Sequence, residues 1–137
     1  MAEKKKLLPR NFEELLATAS FDQLKAVFDI CELDARGGAF QQTALAFDEC
    51  ADDLAYWLVD QGADLAAGDS QGDTPLHTRA RSWKCRTRTL LELGADLHIG
   101  EGGRGTPLHY AAEAGHTATV RLFLDYGARV DALNSSG

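Results

Sequence analysis

The sequence predicts an all-α solenoid, built of helix-turn-helix units repeated in series with β-hairpin tips projecting from them. Three observations predict it. The phrase Thr-Pro-Leu-His occurs at Thr74–His77 and again at Thr106–His109, a period of 32 residues. Gly-Ala recurs at Gly62, Gly94 and Gly127, at spacings of 32 and 33. A weaker first copy, Thr43-Ala44-Leu45, lies 31 residues before Thr74, with Ala44 for the proline and Ala46 for the histidine, so three copies stand in register.

From the N-terminus, Lys4-Lys5-Lys6 reads as a solvated tail, and Asn11-Phe12-Glu13-Glu14-Leu15-Leu16 as a capped helix with Phe12, Leu15 and Leu16 on its apolar stripe. Ser20 and Gln23 have the spacing of a capping box ahead of Leu24, Val27, Phe28 and Cys31. This helical hairpin lacks Thr-Pro and reads as an N-terminal cap over residues 1–36 of a single domain spanning 1–137. Repeats follow at 37–68, 69–100 and 101–137. The last runs through Val130–Gly137 into what would be the next hairpin, as expected of a chain cut from a longer array or of one that ends on a half hairpin without a polar cap.

Inside each unit the landmarks have physical roles. A threonine hydroxyl can accept from an unpaired amide at a helix start, and proline at the first helical position loses nothing by lacking one. Helices are therefore expected near Thr43, Thr74 and Thr106. Glycine suits the left-handed residue that closes a helix, which places the ends of three second helices just before Gly62, Gly94 and Gly127. Leu54, Trp57 and Leu58 form one buried stripe, and Val120, Phe123 and Leu124 another. Asp69-Ser70-Gln71-Gly72 and Gly100-Glu101-Gly102-Gly103 carry the residues of hairpin tips.

The run Gly105-Thr106-Pro107-Leu108-His109-Tyr110-Ala111-Ala112-Glu113-Ala114-Gly115-His116, continuing to Leu124 and Gly127-Ala128, resembles the ankyrin-repeat family, and the likeness covers about residues 30 to 137. The resemblance implies a non-catalytic module that binds a protein partner through hairpin tips and a concave helix face. It implies partner positions at Ser70, Gln71, Asp73, Thr78, Arg81 and Ser82 in the second copy, and at Gly103, Gly105, Tyr110, Glu113 and Ala114 in the third. Tyr110 is the expected anchor. The chain departs from the family pattern in length and composition. Thr to Gly spans 21 residues in the third copy, 20 in the second and 19 in the first, so residues are missing around the turn between helices. Arg79 stands where a small alanine is expected, and Arg86-Thr87-Arg88-Thr89 where apolar residues are usual. The second unit is expected to be the least stable.

Net charge is −7, but unevenly placed. From Gly37 to Thr78 there is no lysine or arginine, and eight carboxylates give −8; Arg79, Arg81, Lys84, Arg86 and Arg88 then give +5 within ten residues. Such an acidic unit could steer a basic protein partner. Solvated charged faces are nonetheless ordinary, and adjacent runs of opposite sign can pair with each other. The acidic balance speaks against nucleic acid. Trp83, inside the basic run, could anchor a partner or fill the shortened turn.

No apolar run approaches the ~20 residues of a membrane helix. Leu7-Leu8 is too short for a signal-peptide core. Three scattered cysteines, Cys31, Cys50 and Cys85, fit reduced thiols and a cytoplasmic protein, in which the sequon Asn134-Ser135-Ser136 has no consequence. His77, His109 and His116 follow repeat grammar, and only His98 is unassigned. No HExxH, paired CxxC, GxSxG or phosphate-loop pattern occurs, so no catalytic residue, metal or cofactor is expected. Gly100–Gly105 has the composition of a phosphate loop but lacks its Lys-Ser/Thr ending. The function expected is a monomeric protein-binding module, with inhibition of a basic partner as the role its acidic run suggests. The alternative is the recognition or regulatory segment of a longer enzyme.

Overall fold

The computed structural model describes residues 3–82, 84, 86–100 and 105–129. The chain divides into two compact units, Met1–Pro75 and Leu76–Gly137.

In the first unit two helices, α1 (Phe12–Thr18) and α2 (Phe21–Ile30), form as the sequence predicts. The capping box is present: the Gln23 amide donates to Ser20 Oγ at 3.2 Å and the Ser20 amide to Gln23 Oε1 at 2.8 Å. Asn11 precedes α1 without a side-chain cap. Phe12 and Leu16 of α1 and Leu24 and Phe28 of α2 are buried. Phe12 meets Phe28 edge-on at 6.2 Å and Phe47 at 5.4 Å, and Phe28 lies 6.1 Å from Trp57. The helical hairpin is thus joined by aromatic contacts to the first repeat, each worth ~0.5–1.5 kcal/mol beyond the area it buries.

The expectation of an all-α chain is corrected by a small sheet. Strands β1 (Lys5–Leu7), β2 (Cys31–Gly37) and β3 (Gln42–Thr43) pair in the order β1-β2-β3, β1 parallel and β3 antiparallel to β2. Lys4–Lys6 is therefore no loose tail. The Lys4 ammonium donates to the Phe28 carbonyl in the last turn of α2 at 2.8 Å, where a cation meets the negative end of the helix dipole. The Leu8 amide donates to the Arg36 carbonyl at 2.8 Å, and Cys31 Sγ lies 3.4 Å from the Leu7 carbonyl. Cys31, expected as the last residue of a helical stripe, instead takes extended angles and begins β2.

Strands β2 and β3 make the first hairpin, whose turn puts Gly38 and Gln41 at φ 78° and 53°. A second tip follows at 68–73. It is tied to the first where the Arg36 guanidinium donates to the Gly68 carbonyl and the Ser70 amide donates to the Phe40 carbonyl at 2.8 Å. Asp69 shapes it, its Oδ1 accepting the amides of Gln71 at 2.8 Å and Asp73 at 3.1 Å.

Each predicted helix start is found immediately after its threonine: a 3-10 turn at Ala44–Ala46, α4 at Pro75–Arg81 and α6 at Pro107–Glu113. The second helices are α3 (Asp52–Asp60), α5 (Arg88–Glu92) and α7 (Thr117–Asp125). The helices shorten by more than the missing residues account for. With α3 and α7 both nine residues, the first copy gives up its first helix, which shrinks to three residues, and the Thr43 side chain makes no cap there. In the second copy α4 keeps the seven residues of α6, and α5 is cut to five.

All three second helices close identically. The amides of Gly62, Gly94 and Gly127 donate to Val59, Leu91 and Leu124, each at 3.0 Å, and the following alanines reach back to Leu58, Leu90 and Phe123, each at 2.9 Å. The glycines sit at φ 109°, 100° and 98°. This paired 6→1 and 5→2 pattern satisfies carbonyls the helix end would otherwise leave open.

A Cβ built on Gly62 would meet nothing within 4 Å, so only backbone conformation demands glycine there. Gly62→Ala is expected to lower unfolding stability by about 1–2 kcal/mol, the cost of a left-handed alanine. Denaturant titration checks this, and an unchanged or raised midpoint would contradict it.

Candidate functional site

In the second unit one histidine links successive repeats. His77, three residues into its helix and 2% exposed, places Nε2 2.9 Å from the carbonyl oxygen of Gly105. A carbonyl only accepts, so this nitrogen carries the proton. Its counterpart His109 turns inward on its own helix start, where Nδ1 accepts the Thr106 amide at 3.0 Å.

Tyr110 packs edge-on against the His77 ring, centroids 5.0 Å apart at 66°. Arg81, one helical turn beyond His77, holds its guanidinium 5.5 Å from the Tyr110 centroid, within cation–π range. Glu113 and Ala114 follow Tyr110 by three and four residues and so share its face. Arg81, Tyr110, Glu113 and Ala114 together line a cleft of about 450 Å³. An aromatic ring flanked by a cation and a carboxylate can receive a side chain and orient its polar end, but offers no nucleophile paired with a base. Among the described residues no group of three or more His, Cys, Asp or Glu is placed to hold a metal ion. Cys31 and Cys50 are buried and in no disulfide.

The cleft gathers four of the eleven residues expected at a partner surface. Ser70 and Gln71 are exposed at the second tip of the first unit, while Thr78 and Ser82 are half-buried. Asp73 was expected at the surface and is only 3% exposed, because its backbone closes the Asp69 turn in both directions. Gly105 is likewise buried, its carbonyl facing His77. Tyr110 is 9% exposed, so the anchor shows only part of its ring. Gly103, Trp83, Cys85 and Val130–Gly137 lie outside the described residues.

Of the eight carboxylates in the acidic run, Asp52, Asp53, Asp60 and Asp64 are exposed, while Asp69 and Asp73 are buried. Of the basic run, Arg81, Lys84, Arg86 and Arg88 are exposed. Arg79 is not: at 0% exposure it extends within the second unit to donate Nη1 to the Arg86 carbonyl at 2.9 Å. Sequence reasoning missed Phe40, 49% exposed on the first hairpin turn. The signal was an aromatic residue directly after Gly37-Gly38-Ala39.

Residues 40–134, more than half of the chain, match the family model for ankyrin repeats, in three copies. No curated protein matches the chain.

The His77 link sets a measurable stability difference. His77→Ala removes a buried hydrogen bond, strands the Gly105 carbonyl and leaves a gap against Tyr110, for an expected loss of about 3 kcal/mol. His98→Ala, on an exposed side chain, should stay within ~0.5 kcal/mol of the parent. Equal effects in denaturant unfolding would remove His77 from its structural role.

Proposed function

The chain belongs to the ankyrin-repeat family, and from that premise we propose that it is a non-catalytic binding module whose repeats act as a solenoid to hold a protein partner. Ankyrin repeats generally serve protein–protein interaction. The observation that carries the reading here is the Arg81–Tyr110–Glu113–Ala114 cleft. An amphipathic ring braced on one side by His77 loses little conformational freedom on binding, which is what an interface anchor requires. The exposed carboxylates Asp52, Asp53, Asp60 and Asp64 favour a basic partner, because a surface of one sign speeds encounter with the other. We propose further that the module acts as a monomer. No helix among the described residues is long and apolar enough to cross a membrane.

The test is capture from native lysate on the immobilised chain, followed by kinetics with the captured protein. Tyr110→Ala should weaken binding by about 2 kcal/mol, near thirtyfold in Kd, through faster dissociation. Because Tyr110 also packs on His77, the exposed neighbours supply the control. Arg81→Ala and Glu113→Ala should alter affinity while leaving the melting temperature nearly unchanged. Neutralising Asp52 and Asp53 together should slow association and flatten its salt dependence. If Tyr110→Ala lowers only the melting temperature and both neighbours leave affinity untouched, the cleft is not the interface.

A further inference from the structure

A second surface lies in the first unit, outside residues 40–134. Strand β1 is the edge of its sheet, and beside it opens a cleft of about 440 Å³. Leu7, Leu8, Pro9 and Val27 form apolar walls with Ile30 and Cys31. Leu7 is 61% and Ile30 60% exposed, which makes them the most exposed large apolar side chains among the described residues, and both stand at this one cleft. Exposed aliphatic side chains gathered at one concavity mark a binding groove more than they mark chance, since single scattered ones are what a surface normally shows.

The charge of the lining says what kind of occupant fits. Its charged residues are Lys5 and Arg10, both cationic, with Lys4 and Lys6 adjoining along the chain, in a protein whose net charge is −7. A cleft of this volume is in the range of a small-ligand pocket and takes a few aliphatic side chains. The sheet edge offers an extended backbone something to lie along. We propose that this groove binds a short extended peptide segment of another protein in which aliphatic residues are flanked on both sides by acidic ones. The aliphatic side chains enter between Leu7 and Ile30, and the carboxylates meet Lys5 and Arg10. The groove is independent of the Tyr110 cleft, so either can fail without the other.

The probe is a fluorescein-labelled peptide of a short leucine segment flanked on both sides by glutamates, titrated with the full chain and followed by anisotropy. Its counterpart carries lysine for glutamate. The glutamate peptide should bind and weaken as salt rises, and the lysine peptide should bind at least tenfold more weakly. Ile30→Glu and the pair Lys5→Glu with Arg10→Glu should each cost at least tenfold in Kd for the glutamate peptide. Ile30 is mostly exposed, and unchanged thermal melting confirms that its variant folds. Tyr110→Ala should leave peptide binding unchanged, which separates this site from the cleft of the second unit. Absence of binding, equal binding of the two peptides, or insensitivity to both sets of substitutions overturns the proposal. So does binding to phosphatidylglycerol vesicles in place of the peptide, which would make the groove a lipid contact. Self-association that disappears with Ile30→Glu, in place of peptide binding, would make the occupant a second copy and equally overturn it.

Discussion

Every second helix of this chain stops on a backbone conformation that alanine or any larger residue adopts only at a cost. At Gly62, Gly94 and Gly127 the left-handed residue lets two amides fold back onto the last turn, and the chain leaves the helix in the same direction each time. The repeat depends on that constraint more than on any one contact. Helix lengths vary between copies, from five residues in α5 to nine in α3 and α7, and the first helix of the first copy is a single 3-10 turn. The closures do not vary. Because they involve only main-chain groups, they tolerate the loss of one or two residues upstream while keeping the exit geometry fixed.

On that frame the side chains diverge. His77 reaches the Gly105 carbonyl through Nε2 and His109 receives the Thr106 amide on Nδ1, whereas the first copy has Ala46 at this position and no such reach. The first repeat instead ties its tip to the next through Arg36 and the Ser70 amide. Arg79 replaces a small residue in the second copy, and its burial takes an Nη1 bond to the Arg86 carbonyl in the stretch where α5 is shortest. Burying a guanidinium costs several kcal/mol unless its donors are met. The position that departs most from repeat grammar thus lies at the shortened segment, where the chain has a carbonyl to offer.

The parts of the fold legible in the sequence were those written in local chemistry. Thr74-Pro75 and Thr106-Pro107 set helix starts, glycine at a fixed interval sets helix ends, and Ser20 with Gln23 makes its capping box from residues three apart. The pairing of the sheet was not legible, because it joins Lys5–Leu7 to a segment beginning 26 residues on, although β2 itself carries a strand signal in the alternation of Cys31, Leu33 and Ala35 with Glu32, Asp34 and Arg36. Its buried residues, Cys31 and Ala35, share a face with half-buried Leu33, and that signal is masked because Cys31 also continues the helical stripe of Leu24, Val27 and Phe28. The candidate site was legible residue by residue through the family pattern, which brought Arg81, Tyr110, Glu113 and Ala114 to notice. That they enclose one cleft depends on the register between α4 and α6, which no local signal encodes. Asp73 failed as a surface residue for a related reason: its exposure is decided by the hydrogen bonds of Asp69, four positions away.

The aromatic cluster under the N-terminal hairpin bears on where a workable fragment of this protein can start. The family match begins at residue 40, and a boundary drawn there would remove α1 and α2 along with β1 and β2. It would strip Phe12 from Phe47 and Phe28 from Trp57, turning the inner wall of the first repeat into a sticky outer face. Even trimming only the lysine-rich opening would release the last turn of α2 from the Lys4 ammonium. Residues that look dispensable by repeat grammar thus cover aromatic side chains of the first repeat that would otherwise face solvent.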